Sequence, residues 1–343
     1  MNALLLASAV WLTTFAAPAD ELKRERVPAD VDLVVHFDFE GFKQTQVWKH
    51  LAATLEREEL ESELADLHEL QSRFGIDPLT DLRAVTLFKL EADEEPTVVL
   101  FSATAAIDEA LRRFQAEPGY ARLSAAGIEL HTWSEGQGDD GKIDEKVYAY
   151  VHAGAEERVV VLSSSQDSAL HAARVLRGED PSHAKAGTAL TLAPARGSFL
   201  YVAASSIPHI QDTPASRVFG LAQGIQVDLG EAGGLLRAHM GITTASPKDA
   251  YDIRNVLNGL ISLARLAGAE LGEALEILTG IRLDTRGSEV LFDFEFEVER
   301  LLEIVQSLEG LGGFSEPAKA AQEAPEEPQE REGGKRRSKL RIK

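Results

Sequence analysis

Cysteine is absent from the 343 residues. That excludes a disulfide framework, a zinc–thiolate or iron–sulfur centre, a thiol nucleophile and a lipid-modified cysteine anchor. Stability must then come from the core alone, which a chain of this length can supply because the buried share of its surface rises with size. Positive charge is scarce as well: 35 Lys and Arg stand against 56 Asp and Glu, a formal net charge of -21. Binding to phosphates needs a positive footprint, so no nucleic-acid partner is expected. After the first residues there is no apolar run near the roughly 20 residues that span a bilayer. Motifs with chemistry are missing too. The chain has no G-K-[ST], no H-E-x-x-H and no G-x-S-x-G, and its 9 histidines are scattered without a pair at metal-site spacing. No cofactor is implied.

What is present begins at the N-terminus. Leu4 to Ala17 carries no charge, and Ala17-Pro18-Ala19 precedes the first acid, Asp20. An apolar stretch followed by small-x-small reads as a secretory signal peptide over 1–19, removed after Ala19. No Lys or Arg stands before the apolar stretch, so an uncleaved N-terminal anchor stays open. The other end also changes character. Residues 315–343 are rich in Pro, Glu, Ala and Gln and read as a disordered tail. They hold 8 basic and 6 acidic residues, which leaves 27 and 50 elsewhere, a body near -23. The positive charge gathers at the very end, in Lys335, Arg336, Arg337, Lys339, Arg341 and Lys343. That cluster suits contact with an anionic surface.

Between the ends, periodicity predicts an α+β fold. Strands are expected at 32–39, 82–90, 97–102, 128–133, 147–152 and 159–163. A helix is expected from Val47 to Leu67, stopped by Gly75-Ile76-Asp77-Pro78, and further helices at 106–114 and 167–176. Residues 179–196 are polar and aperiodic and read as a linker. Beyond them strands recur at 198–203, 224–229, 235–243, 281–284 and 289–297, with helices at 247–266 and 298–308. Ser246 is the expected cap of the first of these, with Pro247 at its first position. The order strand, crossover, two strands, helix, strands, helix therefore occurs twice. It suggests two related α+β domains, 20–178 and 197–314, each an antiparallel sheet with helices packed on one face. The two sheets can also join into one.

Four groups of residues deserve weighing as sites. Alternation along His36-Phe37-Asp38-Phe39-Glu40 would put His36, Asp38 and Glu40 on one face, where they could hold a cation or exchange protons, and the phenylalanines in the core. A solvated sheet face produces the same pattern. Phe292-Asp293-Phe294-Glu295-Phe296-Glu297 repeats it, with a row of acids tolerable only where water or a cation reaches them. The Gly-rich loop 134–145 offers Asp139, Asp140, Asp144 and Glu145 as candidate metal ligands, though without the alternating spacing of a calcium loop. Ser163-Ser164-Ser165 before Asp167 and His171 suggests a nucleophile and its partners. A helix cap at Ser165 or Ser164 and an i,i+4 pair explain the same residues.

These features point to an exported, non-enzymatic binding or structural protein of the bacterial cell envelope, periplasmic or extracellular, whose partner is an envelope protein or ligand. Two alternatives remain at this stage. One is a carboxylate-dependent extracytoplasmic hydrolase, with or without a cation, centred on His36, Asp38 and Glu40. The other is an envelope assembly or maturation factor.

Overall fold

The structure, a computed structural model, describes residues 21–55, 71–91, 98–134, 146–155, 157–186, 190–205, 220–267 and 274–310. The signal segment 1–19, the candidate ligands Asp139, Asp140, Asp144 and Glu145, the crossover prolines Pro208 and Pro214 and the tail 315–343 lie outside the described residues. The chain divides into two units, Met1–Leu302 and Glu303–Lys343. In the second, the described residues 303–310 are helical.

Val-, Leu- and Phe-rich runs with period-two burial form the strands. They are β1 (Val31–Asp38), β2 (Leu82–Leu90), β3 (Val98–Ala103), β4 (Ala121–Ala125), β5 (Ile128–Ser134), β6 (Lys146–Ala153) and β7 (Arg158–Ser163). After them come β8 (Ser198–Ala204), β9 (Ala222–Ala232), β10 (Leu235–Thr244), β11 (Ile281–Arg286) and β12 (Glu289–Glu297). All belong to one sheet in the order β11-β12-β10-β9-β8-β1-β2-β3-β7-β6-β5-β4. Every neighbouring pair is antiparallel. The described helices are α1 (Phe39–Lys43), α2 (Gln46–Leu55), α3 (Pro78–Asp81), α4 (Ile107–Phe114), α5 (Gln166–Leu176), α6 (Pro247–Ala267), α7 (Ala274–Ile277) and α8 (Val298–Gly310). The fold is thus mixed helix and strand around a large antiparallel sheet.

Helices were expected on one face, but α4 and α5 take opposite faces. β7 shows why: Arg158–Ser163 is apolar in consecutive positions, so it needs cover on both sides. Val159 and Val161 join Val34, Phe88, Leu100 and Ala172 of α5 in the largest core cluster. Val160 points the other way and packs with Ala103 and Ile107 of α4. The stretch read as a linker is packed as well. Leu190 and Leu192 lie in the same core as Val161, and the His183 N–H donates to the Val27 carbonyl at 2.8 Å.

Local differences have local causes. Pro78 does not only end a helix; it opens α3, because the Asp77 carboxylate accepts the Leu79 N–H at 2.9 Å and caps it. Strand β4 went unread because its residues are mostly exposed and carry no apolar alternation. Ser246 and Ser165 do cap their helices, receiving the Asp249 N–H at 3.2 Å and the Ser168 N–H at 3.3 Å.

Candidate functional site

Helix α4, Ile-Asp-Glu-Ala-Leu-Arg-Arg-Phe, places Ile107, Ala110, Leu111 and Phe114 along one side by three- and four-residue spacing. Acids fill its first turn and arginines its last, which suits the helix dipole. No side chain caps its N-terminus, but Arg158 of β7 grips Asp108 with a bidentate pair at 2.9 and 2.8 Å. That hydrogen-bonded pairing holds the Asp108 carboxyl below its usual range and ties the helix to the sheet.

Beneath the apolar side of α4 the sheet presents two rows. Phe101, Val160 and Val151 are cross-strand neighbours, as are Leu162, Ala149 and His131. The third wall is the segment that ends in β2. Gly75 makes its turn with φ of +73°, and a Cβ there would meet the Arg113 guanidinium at 3.0 Å. Further on, the Asp81 carboxylate accepts the Asp77 N–H at 2.9 Å and the Thr104 hydroxyl at 2.8 Å. So fixed, Phe74 stacks flat on Phe114 with centroids 3.8 Å apart, and Phe114 lies 5.4 Å from Trp133. Ile76, Pro78 and Leu82 complete the wall.

The space between these walls is a half-open cavity of about 240 Å³. The surface presented by its described lining is apolar throughout; two of the lining residues, Tyr120 and His131, bond to each other, hydroxyl to Nδ1, at 2.8 Å. Burial pushes the His131 imidazole below its usual value; Glu129 opposes this and Arg122 adds to it. Among its described lining residues there is no Ser, Lys, Asp or Glu.

The residues singled out by sequence do other work. His36 and Asp38 do share a face of β1, but it is a buried one, 5% and 0% exposed. His36 Nδ1 lies 2.9 Å from the Thr86 hydroxyl. Asp38 accepts the Gly41 N–H at 2.8 Å and so turns the strand into α1. Glu40 therefore lies on that helix, not on the strand, and pairs with Lys43 at 2.9 Å. Phe37, on the opposite face, joins Phe39, Phe42 and Phe199 in an aromatic cluster. His171 does not pair with Asp167; its two ring nitrogens meet Asp30 at 2.9 Å and Asp180 at 2.8 Å.

Two of the three acids in the β12 row have partners on the neighbouring strand β10, while Glu297 stands opposite Leu235. The cross-strand register sets His239 beside Asp293 at 2.8 Å and Arg237 beside Glu295 at 3.1 Å. These pairs line a polar cleft of about 370 Å³ on the sheet face that carries α5. Among the described residues no cluster of His, Asp and Glu is arranged to hold a metal ion, and no helix is long and apolar enough to cross a membrane.

Tyr120, His131 and Trp133 were not singled out from the sequence. Their juxtaposition depends on β4 pairing with β5, and β4 has no apolar alternation to betray it.

No family model and no curated protein sequence matches the chain. Among solved structures, crystal form III of TP0453 is similar over 83% of this chain and 98% of that chain, at 10% identity and a TM-score of 0.41. Crystal form I of TP0453 covers 84% and 98%, at 12% identity and the same TM-score.

Proposed function

We propose that this chain is a non-enzymatic binding protein of the bacterial cell envelope that takes a small apolar molecule, or the apolar end of a larger one, into the cavity beneath α4. One observation carries the reading: a cavity of about 240 Å³ with an apolar lining on three walls. Apolar cavities of ~150 Å³ stay dry and accept benzene, whereas drug-sized pockets start at about 300 Å³. The size thus favours a compact ligand. Against the hydrolase reading, His36, Asp38 and Glu40 each already serve the fold.

Export is part of the proposal and rests on Leu4–Ala17 and Ala17-Pro18-Ala19. So is duplication of the body into 20–178 and 197–314. The sheet order supports it: β1-β2-β3-β7-β6 and β8-β9-β10-β12-β11 run outward from the β1–β8 pair in the same sequence of strands. β4 and β5 then extend the first half alone.

Titration with ethylbenzene, followed by saturation-transfer NMR on the full chain, tests the binding. Saturable binding with a Kd of about 1 mM or tighter is expected. Ala149→Leu and Ala110→Leu fill the space from the sheet side and the helix side and should each abolish it. Absence of saturable binding, or binding unchanged in both folded variants, would overturn the reading.

A further inference from the structure

A second cavity, of about 390 Å³, lies on the other face of the sheet from the one beneath α4. Alternation along β6 and β7 separates the two. The cross-strand pair Val151 and Val160 lines the first, and the next pair, His152 and Val159, lines the second. Val175, Leu176 and Arg177 at the end of α5, Ser182 and Lys185 beyond it, and Arg26 of the N-terminal segment build the walls. The chain as a whole is strongly acidic, yet cations prevail here. Glu157 is shared by Lys23 and Arg26, Asp180 is paired with Arg174, and Glu179 with Arg177. The Lys185 ammonium has no partner among the described residues, and of the described lining acids only Glu25 is unpaired. His152, whose Nδ1 stands 3.5 Å from the Tyr150 hydroxyl, feels this field: burial first, then the charges of Arg26 and Arg177, hold its imidazole below the usual value. The end of α5 adds little negative character, because the Gly178 and Glu179 N–H groups cap the Val175 and Arg174 carbonyls. One further donor is left over. Ser182 is 3% exposed and its hydroxyl has no partner among the described residues, a cost to the fold unless a bound group meets it.

We propose that this cavity is a second binding site, for a small organic phosphate ester whose phosphate meets Lys185, Arg177 and Ser182 and whose apolar part lies against Val159, Val175 and Leu176. The site is independent of whatever is taken up beneath α4. Arg177 has donors to spare: Glu179 takes its Nε–H and the Gly127 carbonyl its Nη1–H, and a guanidinium carries five N–H groups. Arg26, held by Glu157 and Ser102, contributes charge. The Ser182 hydroxyl reaches the phosphate by rotation about χ1. A phosphate suits the place better than a planar carboxylate, because the donors come from separate segments and a phosphate offers three acceptor oxygens in different directions. The apolar side chains give the ester's substituent a wall that inorganic phosphate leaves unused.

Inorganic phosphate and phenyl phosphate, titrated into the full chain at pH 7 while NMR follows the His152 ring protons, test the site. Saturable shifts are expected, with a Kd of about 1 mM for phenyl phosphate and roughly fivefold weaker binding of inorganic phosphate. Saturation should raise the pH at which His152 protonates, because a bound anion favours the charged ring. Lys185→Gln removes an ammonium without a described partner, so the fold should persist while affinity for both probes falls about tenfold, the value of a charge-assisted bond. Ser182→Ala should weaken both about fivefold. Absence of saturable shifts up to about 50 mM, or shifts reproduced by sodium chloride at the same ionic strength, would overturn the site. So would equal affinity in the native chain and folded Lys185→Gln. Equal affinities for the two probes would overturn the apolar half of the proposal. Capture of the chain by phosphatidylglycerol vesicles, abolished by Lys185→Gln, would overturn the assignment to a small soluble ester.

Discussion

Glu157 offers a quantitative test of how the N-terminal segment is held. It lies at the end of the turn into β7, where its carboxylate receives Lys23 Nζ at 3.0 Å and is paired with the Arg26 guanidinium. Arg26 also donates to the Ser102 hydroxyl at 3.0 Å. Burial opposes ionisation of Glu157, but the hydrogen bonds from Arg26 and Lys23 outweigh it and hold the carboxyl down from 4.5 to about 2. That drop is worth at most ~3.4 kcal/mol, at 1.36 kcal/mol per tenfold change in proton affinity. Partial solvation and screening reduce it to about 1.5 kcal/mol. The folded value lies below the unfolded one, so the stabilisation is complete above about pH 4.5 and lost as pH falls toward 2. Glu157→Gln should therefore lower stability by about 1.5 kcal/mol at pH 7 and by almost nothing at pH 2. Urea unfolding at both values measures the gap from midpoint and slope. A gap of the same size at pH 2 would mean that the variant fails by shape, not charge. No gap at pH 7 would refute the clamp itself.

Two further outcomes are expected. Asp38→Ala should cost about 1 kcal/mol through loss of the α1 cap, and Asp38→Asn much less because an amide oxygen still accepts the Gly41 N–H. Equal urea midpoints for the two variants would refute the capping role. If export occurs as proposed, N-terminal sequencing of envelope-fraction protein should begin at Asp20, and a chain that keeps Met1 there would refute cleavage.

Much of the strand pattern was legible because it depends on near neighbours. Val34, His36 and Asp38 fall two apart, and so do Ala84, Thr86 and Phe88; the burial of both strands follows that period. The caps at Ser165 and Ser246 were legible for the same reason, since each closes within three residues. Layering was not. Which face a helix covers depends on strands far away in sequence, and β7, apolar on successive residues, gives period two no purchase. The fate of Glu40 shows a competing local rule: alternation predicts a strand through residue 40, but a carboxylate at Asp38 within reach of the Gly41 N–H starts a helix first.

The cavity was hidden for a deeper reason. A site for polar chemistry concentrates acids, histidines or glycines in a pattern, and that expectation drew attention to His36, Asp38 and Glu40. A site for an apolar guest is made from residues that are indistinguishable, one at a time, from core. Phe74, Ala110, Phe114, Ala149 and Leu162 would look the same had the space between them been filled. Two features set the place apart: small residues, Ala110 and Ala149, where helix and sheet face each other, and one histidine in an apolar setting. Neither has meaning until β4 pairs with β5 and brings Arg122 and His131 to the same face. Because the empty volume arises from segments as distant as 74–82 and 149–162, its existence is a property of packing. For the same reason a single added side chain at Ala149 should erase it without altering any strand.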